Sequence, residues 1–140
     1  MSFTPPFRDM ADGEEMKIRL DPLDKVFSEY VRRRAVARVG GCELCGKVVG
    51  WKRLECSHFY GRRMKSVRWH PDNAAGLCFT CHRKMTENPR QHDIFFQERL
   101  GVERFERLYL QANMTIKLCA FDKQVIEADL KEKIKELEGK

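Results

Sequence analysis

The sequence predicts a small α+β domain that a four-cysteine zinc site holds together, with helices before and after it. Two Cys-x-x-Cys pairs, at 42–45 and 78–81, supply four thiolates. Short apolar segments between the pairs are typical of strands, and apolar residues recur at helical spacing on both sides. A chain of 140 residues accommodates one such domain.

The N-terminal part divides into an arm and a helix. Residues 1–20 contain two prolines and no clear periodicity, so we expect a loosely ordered arm. Asp21-Pro22 is a helix start signal, because the aspartate can cap the first turn and proline lacks only an N–H that would be unpaired there. Gly40-Gly41 predicts the end of this helix.

The centre of the chain predicts strands, a loop and a helix. Residues 48–49 and 54–59 are interpreted as two short strands on either side of a Gly-Trp-Lys-Arg segment, and residues 61–73 as a polar loop. The segment that follows Leu77 leads into a short helix that should stop before Pro89. We assign residues 21–112 to one domain.

The C-terminal part is predicted to be helical. One helix covers 91–100 and ends at Gly101, and a second surrounds Leu108. Residues 113–140 form a separate segment with an amphipathic helix over 122–138, which either packs on the body of the domain or pairs with another copy of the chain.

The sequence contains no feature of an exported or membrane protein. No apolar run approaches the roughly 18 residues of a membrane span, and the first residues lack the pattern of a secretory signal. We therefore expect a cytoplasmic protein without membrane partners. In a reducing compartment its six cysteines are metal ligands or free thiols rather than disulfides.

The cysteine pairs predict a structural zinc ion held by Cys42, Cys45, Cys78 and Cys81. The 32 residues between the pairs exceed the ~15–20 of a plain zinc ribbon, so an inserted unit is expected there. Four unrelated cysteines are the alternative. Cys56 and Cys119 lack a partner at this spacing and are expected to be buried thiols.

Positive charge is concentrated in residues 25–72. This segment has 12 basic and 4 acidic side chains, a net charge of +8, whereas the whole chain carries +6. Such a patch attracts polyanions, although a solvated surface is the alternative.

Residues between the two cysteine pairs, together with those around the second pair, resemble a known protein family. The ordered set Cys56-Ser57-His58-Phe59, Pro71-Asp72-Asn73 and Leu77-Cys78-Phe79-Thr80-Cys81-His82 resembles the HNH, or ββα-metal, nuclease superfamily. That family has a strand ending in a histidine, a loop with an asparagine, and a helix with a metal-binding histidine. Over roughly residues 40–100 the chain is similar to zinc-bracketed phage proteins, including the NinG-type recombination nucleases.

The resemblance implies a role for each of three residues in phosphodiester hydrolysis. His58 is the general base that activates water. Asn73 orients the His58 imidazole. His82 binds a second divalent cation (Mg²⁺, Mn²⁺, Ni²⁺ or Zn²⁺) that stabilises the leaving oxygen.

The chain departs from the family pattern at two metal-ligand positions. Ser57 stands where many members have an aspartate or histidine, and Thr86 stands where some have a second histidine. His92 is therefore a candidate additional ligand.

Basic residues near these positions are expected to form a continuous rim that contacts DNA phosphates. They are Arg62, Arg63, Lys65 and Arg68 of the loop, with Arg32, Arg33 and Arg34 of the first helix.

The resulting hypothesis is a metal-dependent HNH-type DNA endonuclease, phage-encoded and used in DNA recombination, processing or packaging. Two alternatives stay open. One is a non-catalytic zinc module that binds nucleic acid. The other is a small assembly accessory protein that forms a homodimer through the C-terminal helix.

Overall fold

A computed structural model describes residues 19–139 as five helices around a two-stranded antiparallel sheet. The elements in chain order are α1 (Pro22–Val39), β1 (Glu55–His58), β2 (Ala74–Leu77), α2 (Phe79–Glu87), α3 (Pro89–Leu100), α4 (Val102–Ala112) and α5 (Ala120–Glu138). Residues 1–18, which make up nearly all of the predicted arm, lie outside the described residues, as does Lys140.

The first helix begins and ends where the sequence predicts. The Asp21 side chain accepts a hydrogen bond from the Leu23 amide at 2.9 Å, and Asp24 accepts one from the Asp21 amide at 2.8 Å. This reciprocal cap satisfies amides that have no partner inside the helix. Gly40 adopts a left-handed conformation (φ 81°) and ends the helix.

The predicted strand at 48–49 is wrong. Val48 is 83% exposed and forms only an isolated bridge with Gly41. The partner of β1 is instead β2, which pairs with it in the register Glu55–Leu77 to His58–Ala74. Residues 48–49 bury too little apolar surface to hold a strand in place.

Packing against its neighbours, rather than the intrinsic strand propensity of its residues, explains why β2 forms. Its sequence is Ala-Ala-Gly-Leu, and all four residues are buried. A Cβ atom added to Gly76 would lie 2.7 Å from the Cβ of Ala35, so only glycine allows the strand to approach α1 this closely.

The apolar residues form two clusters, one on each side of the sheet region. The larger one joins the cysteine turns, residues 59–67, α3 and α4, with Phe59, Tyr60 and Phe96 near its centre. The smaller one consists of Leu23, Phe27, Val31, Trp69, Ala74 and Leu130.

The predicted polar loop at 61–73 is packed into the protein. Met64, Val67 and Trp69 are buried. The Ser66 hydroxyl donates to the Gln111 carbonyl at 2.6 Å, which ties the loop to the end of α4.

The four helices after the sheet lie where the sequence predicts them, within a few residues. The α5 helix packs against α1, and Leu130 joins the smaller cluster. Lys123 of α5 also pairs with Asp21 at 2.9 Å. None of the helices within residues 19–139 is long and apolar enough to cross a membrane.

Candidate functional site

The two cysteine pairs meet in space. The Sγ atoms of Cys42, Cys45, Cys78 and Cys81 all lie within 4.8 Å of one another, and those of Cys45 and Cys78 are 3.9 Å apart. Four thiolates around a tetrahedral zinc ion with Zn–S bonds of ~2.3 Å are about 3.8 Å apart. The four thiols therefore fit one zinc ion.

Backbone geometry prepares the first cysteine pair for a metal. The Gly46 amide donates to the Cys42 carbonyl at 2.9 Å, which closes a tight turn. A Cβ atom on Gly41 would lie 1.9 Å from the Lys47 carbonyl oxygen, so glycine is required there. Desolvation opposes ionisation of Cys42, but the amides of Cys45, Cys78 and Leu44 outweigh it and lower the thiol pKa to about 7.

Glu43 connects this turn to the rest of the domain. Its buried carboxylate accepts from the Gly76 amide at 2.7 Å and from Arg99 Nε at 2.8 Å. No local signal in the sequence singles out Glu43, because its partners lie 33 and 56 residues away.

A large cleft lies between α1, β1, α2 and the start of α3. Its volume is about 1070 Å³. It is lined by three of the histidines, His58, His82 and His92, and by several charged residues, among them Asp21, Asp24, Lys25, Arg32, Glu55, Arg62 and Glu87.

His58, at the end of β1, is only partly exposed. Its Nε2 atom is buried and has no hydrogen-bond partner within residues 19–139. Burial lowers the pKa of His58 to about 4, and the positive charge of Arg62 acts in the same direction. The ring is therefore neutral at pH 7.

His82 lies in the first turn of α2 and contacts β1. Its Nδ1 atom lies 2.7 Å from Oε1 of Glu55. Both side chains are partly exposed to the cleft. No local signal in the sequence points to Glu55, because its position depends on the register that pairs it with Leu77.

The other candidate ligands are placed differently. His92 also lines the cleft, but its ring is buried edge-on against Phe59 and Phe96. Ser57 is 1% exposed, and the Thr86 hydroxyl donates to the His82 carbonyl. Within residues 19–139, the cysteines are the one group of three or more potential metal-binding side chains close enough to share an ion.

Asn73 makes no hydrogen bond to the His58 ring, contrary to the expected orienting role. Its amide is fully buried and bonds to the backbone of Tyr60 and Val67. The backbone carbonyl of Asn73 accepts a hydrogen bond at 2.8 Å from the amide of Phe59, the residue directly after His58. Asn73 thus fixes the backbone on which His58 sits.

Two of the seven predicted DNA-contacting residues are buried in structural roles. Arg34 is 4% exposed and donates to the carbonyls of Pro71 and Ala74. Arg68 is 8% exposed and pairs with Asp24 at 2.6 Å. The guanidinium groups of both residues are buried and bonded to protein groups, so neither can contact a DNA phosphate.

The remaining basic residues lie in different surroundings. Arg32 and Arg62 line the cleft, whereas Lys65 lines a separate cavity of about 280 Å³. Arg33 lies over the Trp51 ring and pairs with Glu29. Arg63 is exposed on the loop.

The two cysteines outside the cluster differ from each other. Cys56 lines the cleft wall, and desolvation raises its pKa to about 12. Cys119 is exposed at the start of α5, contrary to the expected buried thiol, because it caps that helix.

Comparison with known proteins adds no assignment: no family model, curated protein or solved structure matches the chain significantly.

Proposed function

We propose that the chain is a metal-dependent DNA endonuclease of HNH type, with a structural zinc ion on the four cysteines. The observation that carries the proposal is that His58, at the end of β1, and His82, in the helix that follows β2, line the same cleft. The order strand, strand, helix is that of the ββα unit which the sequence resembles. The resemblance further implies a phage setting in DNA recombination, processing or packaging.

His58 is suited to accept a proton from water. A neutral imidazole is required, and burial keeps the ring neutral at pH 7. A phosphodiester anion in the cleft would raise the His58 pKa toward neutrality, which strengthens the base at the moment when substrate is bound.

His82 is the residue that would hold the second divalent cation. Its imidazole is partly exposed in the cleft and lies beside a carboxylate, a donor pair that suits such an ion. When bound, the cation supplies Lewis-acid stabilisation of the leaving oxygen. Lys25, Arg32 and Arg62 line the cleft and provide positive charge for the DNA backbone.

One observation favours a second candidate, a non-catalytic zinc module that binds nucleic acid. Apart from the cysteines, no three potential ligands within residues 19–139 lie close enough to share an ion. A catalytic cation would therefore depend on water for most of its coordination.

Plasmid nicking separates the two candidates. The zinc-loaded full chain is incubated with supercoiled plasmid and Mg²⁺, Mn²⁺, Ni²⁺ or Zn²⁺, beside the variants His58→Ala and His70→Asn. His70 lies outside the cleft and accepts the Asp72 amide through Nδ1, a bond that asparagine can replace.

The endonuclease proposal predicts nicking by the wild type and by His70→Asn, and a loss of about 100-fold or more in His58→Ala. Equal nicking by wild type and His58→Ala would reject His58 as the base. DNA binding without nicking in any of the four metals would support the non-catalytic module.

A further inference from the structure

The carboxylates that line the cleft differ in what they contact. Within residues 19–139, four carboxylates line the cleft. Three are paired with cations: Asp21 with Lys123, Asp24 with Arg68 and Glu87 with Arg83. Glu55 instead faces an imidazole, that of His82. A carboxylate without a cationic partner retains its full capacity to bind a metal ion.

The distance between Glu55 and His82 suits two ligands of one ion. Oε1 of Glu55 and Nδ1 of His82 are 2.7 Å apart. Adjacent ligands of an octahedral ion with bonds of about 2.1 Å are about 3 Å apart. To bind a metal through Nδ1, the neutral His82 ring carries its hydrogen on Nε2, so both facing atoms offer lone pairs to the ion.

The fold also explains why the carboxylate comes from position 55. Ser57, which stands where many members of the family that the sequence resembles have a metal ligand, is 1% exposed and is not among the residues that line the cleft. Glu55 pairs with Leu77 in the sheet, at the end of β2 from which α2 and His82 continue. The sheet register therefore brings the carboxylate to the helix histidine.

We propose that Glu55 and His82 together bind one hydrated divalent cation of the Mn²⁺ or Ni²⁺ class in this cleft. The inference deepens the proposed function and depends on it for the role of the ion. Glu55 supplies the carboxylate that the chain lacks at Ser57, and water completes the coordination. Imidazole and carboxylate in one site favour such ions over Mg²⁺, which prefers oxygen ligands.

Metal binding is measured directly, without DNA. The zinc-loaded full chain is titrated with Mn²⁺ and followed by electron paramagnetic resonance, with the pulsed experiment used to detect a bound imidazole nitrogen. The variants are Glu55→Gln, His82→Ala and the control Glu87→Gln, which alters an exposed carboxylate of the same cleft. Circular dichroism and zinc content verify the fold of each variant.

We expect one Mn²⁺ site with a nitrogen signal in the wild type and in Glu87→Gln. His82→Ala should lose the nitrogen signal. Glu55→Gln should weaken Mn²⁺ binding by more than about 100-fold, because loss of an outer-sphere partner alone costs about 10–100-fold. Glutamine keeps an acceptor for His82 but loses the charge, so this variant distinguishes a ligand from a residue that only orients His82.

Two results would overturn the inference: no Mn²⁺ site in the wild type, or equal affinity in Glu55→Gln and Glu87→Gln. Plasmid nicking by the same proteins tests the proposed function separately. A wild type that binds Mn²⁺ through Glu55 but does not nick DNA refutes the nuclease and keeps the site. A wild type whose nicking of DNA requires His58, with Glu55→Gln unaffected in Mn²⁺ affinity and in activity, supports the nuclease and refutes the metal site.

Discussion

Asn73 and Tyr60 are joined by a reciprocal pair of buried hydrogen bonds. Oδ1 of Asn73 accepts from the Tyr60 amide at 2.8 Å, and Nδ2 donates to the Tyr60 carbonyl at 3.0 Å and to the Val67 carbonyl at 3.1 Å. An amide is the one side-chain group that satisfies one donor and two acceptors in this arrangement. The loop after His58 therefore depends on this residue.

Replacing Asn73 with aspartate should destabilise the protein strongly. The carboxylate would face two carbonyl oxygens in a buried site, so we expect the free energy of unfolding to fall by about 3 kcal/mol. Urea unfolding measures this change. Asn88→Asp is the matched control, because Asn88 is exposed between α2 and α3, where aspartate is tolerated. Equal stability of Asn73→Asp and wild type would contradict the structural role.

Replacing Cys42 with serine should remove the zinc ion and unfold the chain. Zinc binding by four thiolates contributes about 10–16 kcal/mol, which is comparable to the about 5–15 kcal/mol by which a whole domain is stable. Elemental analysis should give one zinc per chain in the wild type and far less in the variant, with loss of helical circular dichroism. Cys119→Ser is the control, since serine can replace Cys119 as the cap of α5. Retention of zinc by Cys42→Ser would show that the ion lies elsewhere.

The His58 ring should stay neutral well below its ordinary pKa of 6.5, since its folded pKa is about 4. The unfolded chain then binds more protons between these values. His58 therefore contributes stability that is complete above pH 6.5 and is lost as the pH falls toward 4. Proton NMR of the ring measures the titration, with His58→Ala assigning the resonance. A midpoint near the ordinary value would contradict the burial of this ring.

DNA binding should depend on Arg62 but not on Lys65. Arg62 lines the cleft, whereas Lys65 lines the separate smaller cavity. Each phosphate contact adds about 0.9 to the slope of log affinity against log salt concentration, so Arg62→Ala should lower the slope by about 1. Fluorescence anisotropy with labelled duplex DNA measures it. A lower slope in Lys65→Ala instead would place the DNA on the other side of the loop.

Local signals explain why most helices could be predicted. Asp21 and Gly40 at the ends of α1, Pro89 after the end of α2 and Gly101 after α3 act within one turn of the chain. The cysteine cluster was predictable for a similar reason, because each pair lies within one short turn.

Long-range features could not be predicted from the sequence. The β2 sequence Ala-Ala-Gly-Leu has low strand propensity, and its burial under α1 defines it. Arg34 and Arg68 lie in a basic segment typical of DNA-binding proteins, but their hydrogen-bond partners lie far along the chain. The pairing of Glu55 with His82 likewise requires the sheet register, which the flanking residues do not determine.

The packing of α5 on α1 affects the order in which the protein can fold during synthesis. Phe27 and Val31 are synthesised long before Leu130, which completes their cluster. The part with the four thiols, to which Arg34 already ties α1, can form before α5 is synthesised, whereas the apolar face of α1 is covered only once α5 has emerged. A premature stop codon within α5 would therefore yield a chain with an exposed apolar stripe, prone to aggregation and degradation.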